Sequence, residues 1–444
     1  MPIVPLGLGA YKRSSGFVPE VQLRNFYLEQ DVTGISPDKT LRVQRPGLTA
    51  YRTLPGAIRG LNFREATGET FAVAGGTLYN SDTASGGIAG IDQTPMVSTP
   101  FGLFIAGGGT LYTYDIALSS IALPDDAPDG GTVQDIDQLD AYVLVLLPSG
   151  RFYWIVPGAT TIDPLNFATA ESLPDGAMAI RRLGDEFIIL GTQGAEIWQA
   201  TGDPDAPFQR ATGRGYEKGC LYRDTVVRFD NTLVWVTDQY EVCRASAVPE
   251  VISDPALSDR IRRATGDCSA MTFAIDGHDL WLLRIPGQGT FAYDALTKAW
   301  SEFATYQESV WRPWVSIQHD GLILVGSSVD GKIYEVDPES ATDDGVMIER
   351  IVSATVGLNA KPPRNDSVSI GVGCSGDTTI RLRWKDGQDD FPAYYDEIEA
   401  RAPFDVAQLW RLGQPDQPYR TLEISCVAAE KISLFGMIAN DAWA

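Results

Sequence analysis

The sequence predicts an all-β protein: a β-propeller of six or seven blades, with an N-terminal extended arm or ring-closing strand before it and a small β-sandwich-like domain after it. Three observations point there. Apolar runs are short, rich in Val, Ile, Leu, Phe, Tyr and Trp, and end at Gly, Asp, Asn or Pro, which is the pattern of strands and hairpins rather than helices. Seven stretches share one plan, a strand, a turn and a second strand with an aromatic. Their turns at Gly76, Gly109, Gly150, Gly194, Gln239, Gly289 and Gly331 fall 33 to 50 residues apart. Past residue 345 that plan stops and the texture changes.

The recurrence is what propeller blades produce. One small sheet cannot bury both faces alone, whereas stacking blades about an axis buries each face on a neighbour. A two-sheet sandwich with unrelated hairpins is the rival, but it has no need of so regular a spacing. The propeller is therefore placed at 56–345. The short first step suggests that the first two hairpins are irregular or share a blade. Residues 1–55 hold Pro, Gly and two extended runs, QLRNFYLEQDV and LRVQRPGLTAY. They read as an arm over another surface or as a strand that closes the ring, and an arm would matter more to assembly than to folding. In 346–444, five runs beginning at Ser367, Thr379, Gln408, Thr421 and Ile432 read as strands of an antiparallel domain. Within TIRLRW, Ile380, Leu382 and Trp384 alternate with Arg381 and Arg383, so one face is buried and the other wet. The acidic stretch from Asp386 to Glu399 reads as a solvated loop.

Composition narrows the function. Hydrophobic residues make up 44% of the 444 and charged ones 21%, enough for a sizeable core. Lys plus Arg number 35 against 58 Asp plus Glu, a net charge of −23. Such a surface repels nucleic acid, which argues against a DNA- or RNA-grasping domain and leaves open a surface past which DNA slides without sticking. The five cysteines are odd in number and form no CxxC pair, so a disulfide framework or a cysteine zinc site is not expected. No run approaches a membrane helix, and the first residues lack the order of a signal peptide, so the chain is expected to be made and to stay in a cytoplasm.

Catalytic and cofactor motifs are not found, so no catalytic, cofactor-binding or metal residue is assigned. The two histidines, His278 and His319, sit beside Asp and Gly and read as solvated turn residues. There is no Walker loop, and GRGYEKG has neither dinucleotide-loop spacing nor a βαβ setting. The Asp signature of propeller glycosidases does not recur. A glycan-binding propeller or adhesin is the alternative reading, and a propeller glycosidase a weaker one.

The central hundred residues carry a denser set of motifs. They are Glu196 and Trp198 in one strand, Gly202, Asp203, Pro207 and Phe208 in a turn, then Glu217, Lys218, Gly219 and Cys220. Asp230, Asn231 and Trp235 follow, then Val242, Arg244 and Ala245, and later Tyr293, Asp294, Thr297 and Trp300. MPI at 1–3, NFYLEQ at Asn25 and RPGL at Arg45 join them near the start. This set resembles the packaged-DNA stabilisation proteins, the tail-hub or nozzle proteins of short-tailed, podovirus-like bacteriophages. The resemblance implies a non-enzymatic virion protein with a propeller core. It further implies self-assembly into a ring of six copies, placed against the portal-adaptor protein. Such a ring would carry tail fibres, tailspikes or a plug and pass DNA through its lumen without sequence-specific binding. The motif residues are read as structural. Trp198, Phe208, Trp235 and Trp300 are expected in the core, Gly202 and Gly219 at turns with positive φ, and Cys220 packed and inert.

Overall fold

A computed structural model describes residues 3–4, 6–12, 20–171, 176–357, 367–410, 412–413 and 417–440. Met1 and Pro2 of the opening motif lie outside the described residues.

Seven four-stranded antiparallel sheets follow one another around an axis. Their innermost strands are Ile58–Arg64, Met96–Thr99, Asp135–Leu139, Ala177–Leu183, Val227–Phe229, Ser269–Ile275 and Pro313–His319, and they define blades 1 to 7. The first two hairpins occupy separate blades, each with four strands of its own. The turn chemistry is legible locally. The turns after the innermost strands of blades 3, 5, 6 and 7 place Asp140, Asp230, Asp276 and Asp320 at φ of 54°, 45°, 50° and 48°. Tight two-residue hairpins need this left-handed backbone, and Asp tolerates it.

Each blade face is buried against the next blade rather than within its own sheet. Leu103 and Ile105 of blade 2 pack on Phe71 and Val73 of blade 1. Trp154 of blade 3 packs on Phe187 and Trp198 of blade 4. Phe229 of blade 5 meets Trp281 of blade 6, and Val315 and Leu324 of blade 7 meet Ile58 and Ala72 of blade 1, completing the ring. Residues 313–337 supply only three strands of blade 7. The fourth is Gly47–Thr53, antiparallel to Lys332–Asp337 with Leu48 opposite Val336. An N-terminal strand in the last blade latches the ends of the ring together and covers what would be an open edge.

The described residues before Gly47 do not form an arm over a separate surface. Ile3–Val4, Phe26–Gln30 and Thr40–Gln44 join one sheet of a C-terminal sandwich with Ser367–Cys374, Phe404–Trp410 and Ile432–Asn440. Val346–Gly357, Thr378–Asp386, Asp396–Ala400 and Tyr419–Ala428 form the facing sheet. The two share a core in which Val352, Ile380, Leu382 and Ile424 meet Val368, Ile370, Leu434 and Met437. The acidic stretch is not simply a loop: Asp386 ends one strand and pairs with Arg420 at 2.6 and 2.8 Å, and Asp396–Ala400 is a strand.

Sandwich and propeller are joined by backbone hydrogen bonding. Leu23–Arg24 lies between Val346–Gly357 of the sandwich and Trp300–Phe303 of blade 6. Thr342–Asp343 lies between Val346–Gly357 and Gly47–Thr53 of blade 7. Beneath this seam Arg45, fully buried, donates to both oxygens of Asp343 at 2.9 and 2.6 Å. Its Nε donates to Asn25 Oδ1 at 2.7 Å, and that oxygen also accepts from Ala304 N at 2.9 Å. Asn25 Nδ2 donates to Ala304 O and Glu349 O. The guanidinium lies over Trp311.

Candidate functional site

Two places concentrate chemistry: the propeller axis and the motif residues of blades 4 to 6. The seven innermost strands enclose an axial cavity of ≈ 500 Å³, lined in part by Arg59, Asp137, Arg181 and Asp224. One end is spanned by a single side chain. Arg223, from the loop entering blade 5, crosses to blades 2 and 3. Its Nη2 donates to Gln93 O at 2.8 Å, its Nη1 to Gln134 O at 3.0 Å and its Nε to Asp224 at 2.7 Å. Asp135 is fully buried, receives Ile180 N at 3.0 Å and pairs with Arg181, whose Nε reaches Val226 O. Arg59 donates to the carbonyls of Asp92, Gly75 and Ala89, each at 2.9 Å. These guanidinium groups staple loops and blades to one another, so their donors are turned inward to carbonyls and carboxylates of the chain itself. Sequence reading missed this network, because nothing in the spacing of Arg59, Asp135, Arg181 and Arg223 announces that they meet on an axis.

The motif residues gather in the framework of blades 4 to 6. Glu196 is fully buried and accepts Trp198 Nε1 at 3.0 Å, with Arg210 3.6 Å away. Gly202 has φ +78° in the turn that Thr201 and Pro207 close. Asp203 caps that turn by accepting Asp205 N, and Phe208 re-enters the core against Trp154. Glu217 is exposed, and Lys218 bonds Glu241 and Gln239 across the next loop. Cys220 is buried, and desolvation pushes its thiol up to about 12. Asp230 and Asn231 form a turn held by Arg244 at 2.7 Å. Trp235 is fully buried and donates to Gly219 O at 3.0 Å, and Trp300 donates to Ile252 O at 2.9 Å. Tyr293 packs on Trp300 and Phe229.

Two expectations need correction. Gly219 does not have positive φ. Its backbone runs so close to Thr192 that a Cβ would lie 2.0 Å from the Thr192 carbonyl oxygen. The constraint is close approach between two loops, so Gly219→Ala is expected to cost about 2 kcal/mol or more through forced backbone movement, read as a lower urea midpoint. Gly202→Ala meets open space and is strained only by its φ.

The second correction is His278, which is buried at 3% exposure rather than solvated. Its Nδ1 is 2.9 Å from Asp294 Oδ2, which also accepts Thr297 Oγ1 at 2.6 Å, and Tyr27 of the N-terminal segment packs edge-on against the ring. The hydrogen bond to Asp294 raises the imidazole above its ordinary value, against the opposing effect of burial. A raised folded value means stability fully present below about pH 6.5, the unfolded value, and lost as pH climbs through the folded one. Burial raises Asp294, but the bonds from His278, Thr297 and Leu296 hold it low overall, so its contribution is lost in acid. The melting temperature of the native chain minus that of His278→Gln should therefore shrink as pH rises from 6 to 9. A difference that grows with pH would contradict the pairing. His319 is half-buried and stacks on Phe63 at 3.7 Å between centroids.

Among the described residues no group of three or more His, Cys, Asp or Glu side chains is placed to hold a metal ion. No helix there is long and apolar enough to cross a membrane.

Comparison with known proteins adds the following. The model of the phage stabilisation family, described as Bacteriophage P22 Gp10, beta-propeller, matches residues 4–341. Solved structures similar to the chain include YCF48 from Cyanidioschyzon merolae, at 12% identity and a TM-score of 0.45 over 66% of this chain and 99% of that one. They also include the computationally designed Ika8 protein, at 10% identity and 0.41 over 66% and 99%. A third is BBS1N in complex with ARL6DN, at 11% and 0.45 over 66% and 98%. Likenesses at these scores carry no argument about function. No curated protein sequence matches the chain. The family match begins in the N-terminal strands, takes in the ring-closing strand and runs through all seven blades, and on it the chain belongs to the phage stabilisation family of bacteriophage β-propeller proteins.

Proposed function

We propose that the chain is a structural protein of the virion, the nozzle or tail hub below the portal-adaptor. Several copies would ring the DNA exit channel, retain packaged DNA and carry fibres, spikes or a plug. The observation that carries this reading is the family match over 4–341.

The physical features fit a wall rather than a catalyst. Blade-to-blade cores and the sheet that runs on from blades 6 and 7 into the sandwich make one stiff body. The propeller axis is not a DNA path. An axial space of ≈ 500 Å³, with Arg223 bonded from blade 5 to Gln93 and Gln134 of blades 2 and 3, has no room for a duplex, whose major groove alone is about 12 Å wide. DNA would pass between copies, along outer surfaces. A net charge of −23 keeps phosphates from adhering there. The role is non-enzymatic in this reading, with the motif residues serving the fold.

The test is a binding experiment. DNA-filled heads that carry portal and adaptor but lack this protein are mixed with the purified chain and imaged by electron microscopy. A ring with an axial channel, and slower DNA leakage, supports the assignment. Heads that stay bare at high protein concentration would remove it.

A further inference from the structure

Exposed apolar side chains are unevenly spread. On the propeller five of them lie where blades 2 and 3 adjoin, while Ile91, Val248, Leu296 and Val329 are exposed elsewhere. Phe101 sits in the first turn of blade 2 and Ile116 in its last. Val156 and Leu165 belong to loop 156–166 of blade 3, and Phe167 follows it. Ile116 is 91% exposed and Leu165 82%. Antiparallel alternation puts these turns on one rim. The loop is pre-formed: Asp163 accepts Leu165 N at 2.9 Å, Ala159 N donates to Val156 O at 3.0 Å, and buried Ile162 anchors its middle. Phe101 is held by a turn whose amides donate to Thr99 Oγ1, and its ring lies against Gly158. Burying such tips costs little further ordering.

The second gathering is on the sandwich. Phe404–Trp410 is the outermost strand of its sheet, and its far edge has no partner strand among the described residues. Phe404, Val406 and Trp410 alternate onto the outer face, at 42%, 47% and 62% exposure. Gly373 and Gly371 lie opposite Phe404 and Val406 on the neighbouring strand, and Phe435 packs edge-on against Phe404. An exposed apolar edge of this kind is a template for pairing with another chain.

The two patches lie on different parts of the molecule. The sandwich is bonded to blades 6 and 7, and in a ring of seven, blades 2 and 3 lie across from them. A chain at −23 repels its own copies over most of its surface. These apolar patches carry few charges, with Asp115 beside Ile116 and Asp405 within the sandwich edge, and are where copies approach at low electrostatic cost. The flanking charges are opposite in sign, with exposed Asp163 beside the first and exposed Arg401 beside the second. We propose that the patches are the two halves of one head-to-tail contact, the sandwich edge of one copy seating on the blade 2–3 rim of the next. The contact rests on the ring reading above and names its surfaces. Two different surfaces meeting form a heterologous interface, which closes into a ring when its rotation permits.

The experiment is sedimentation velocity on the full chain, with Leu165→Glu and Val406→Glu. The native chain is expected to assemble beyond the monomer, and each variant alone to remain monomeric with a native melt. An equal mixture of the two variants should form a dimer and nothing larger, because one retains an intact sandwich edge and the other an intact rim. Monomeric native protein at every concentration overturns the proposal, as do variants that assemble like the native chain. A mixture that stays monomeric also overturns it, since an intact edge and an intact rim would then have failed to pair. If Val406→Glu fails to fold, Phe404→Ser replaces it. Head binding is read separately, so a chain that binds heads but never self-associates loses this contact while its virion assignment stands.

Discussion

Removal of residues 1–53 is expected to abolish cooperative folding rather than trim a dispensable extension. The deletion takes the outer strand of blade 7, whose Leu48 is buried with Tyr334 and Val336. It takes Thr40–Gln44 and Phe26–Gln30 from the sandwich and with them Phe26 and Leu28 from its core. It also takes Leu23–Arg24, which hydrogen-bonds sandwich to blade 6. Burying one large apolar side chain contributes roughly 1.5–3 kcal/mol. Losing several together with a blade strand exceeds the 5–15 kcal/mol or so that holds a typical domain folded. Circular dichroism melting and limited proteolysis read the outcome. A truncated chain that melts sharply near the native temperature would make the segment an appended arm after all.

Arg45→Ala carries the second-largest expected effect. The substitution leaves Asp343 buried without its bidentate partner, removes a donor from Asn25 Oδ1 and empties the space over Trp311. Breaking a buried ion pair by deleting one side typically costs about 3–5 kcal/mol, because the remaining charge is stranded. Arg45→Met combined with Asp343→Leu should cost less than Arg45→Ala alone, since no charge is then left unpaired. Denaturant unfolding of the single and double variants gives the comparison. Equal costs would show that the pair contributes by packing only.

Much of this was readable from the chain. The seven turns set the blade rhythm because hairpin chemistry is local, as it is also in the preceding hairpins of blades 6 and 5, where Asp276 and Asp230 adopt left-handed backbone. Aromatics such as Trp198, Trp235 and Trp300 announced a core through size and spacing alone. His278 was misread for the same local reason. An Asp-Gly-His turn reads as solvated, yet Tyr27, from a strand far back in the chain, packs edge-on against the ring and Asp294 bonds it. Gly219 was assigned the commonest reason for a glycine, while its real constraint is the Thr192 carbonyl of another loop.

Strand-by-strand character and the change of texture past residue 345 follow from residue order, since periodicity, turn propensity and composition act over a few positions. The destination of the N-terminal residues was decided in three dimensions. Runs 26–30, 40–44 and 47–53 look alike as short extended segments, yet two enter the sandwich and one closes the propeller. The difference is which open edge lies within reach once the rest has packed. The bond between Arg45 and Asp343 spans 298 residues, and the reach of Arg223 to Gln93 spans 130. Contacts at such separations leave no local signature. They exist because a closed ring brings distant positions together and leaves their charges no solvent to turn to.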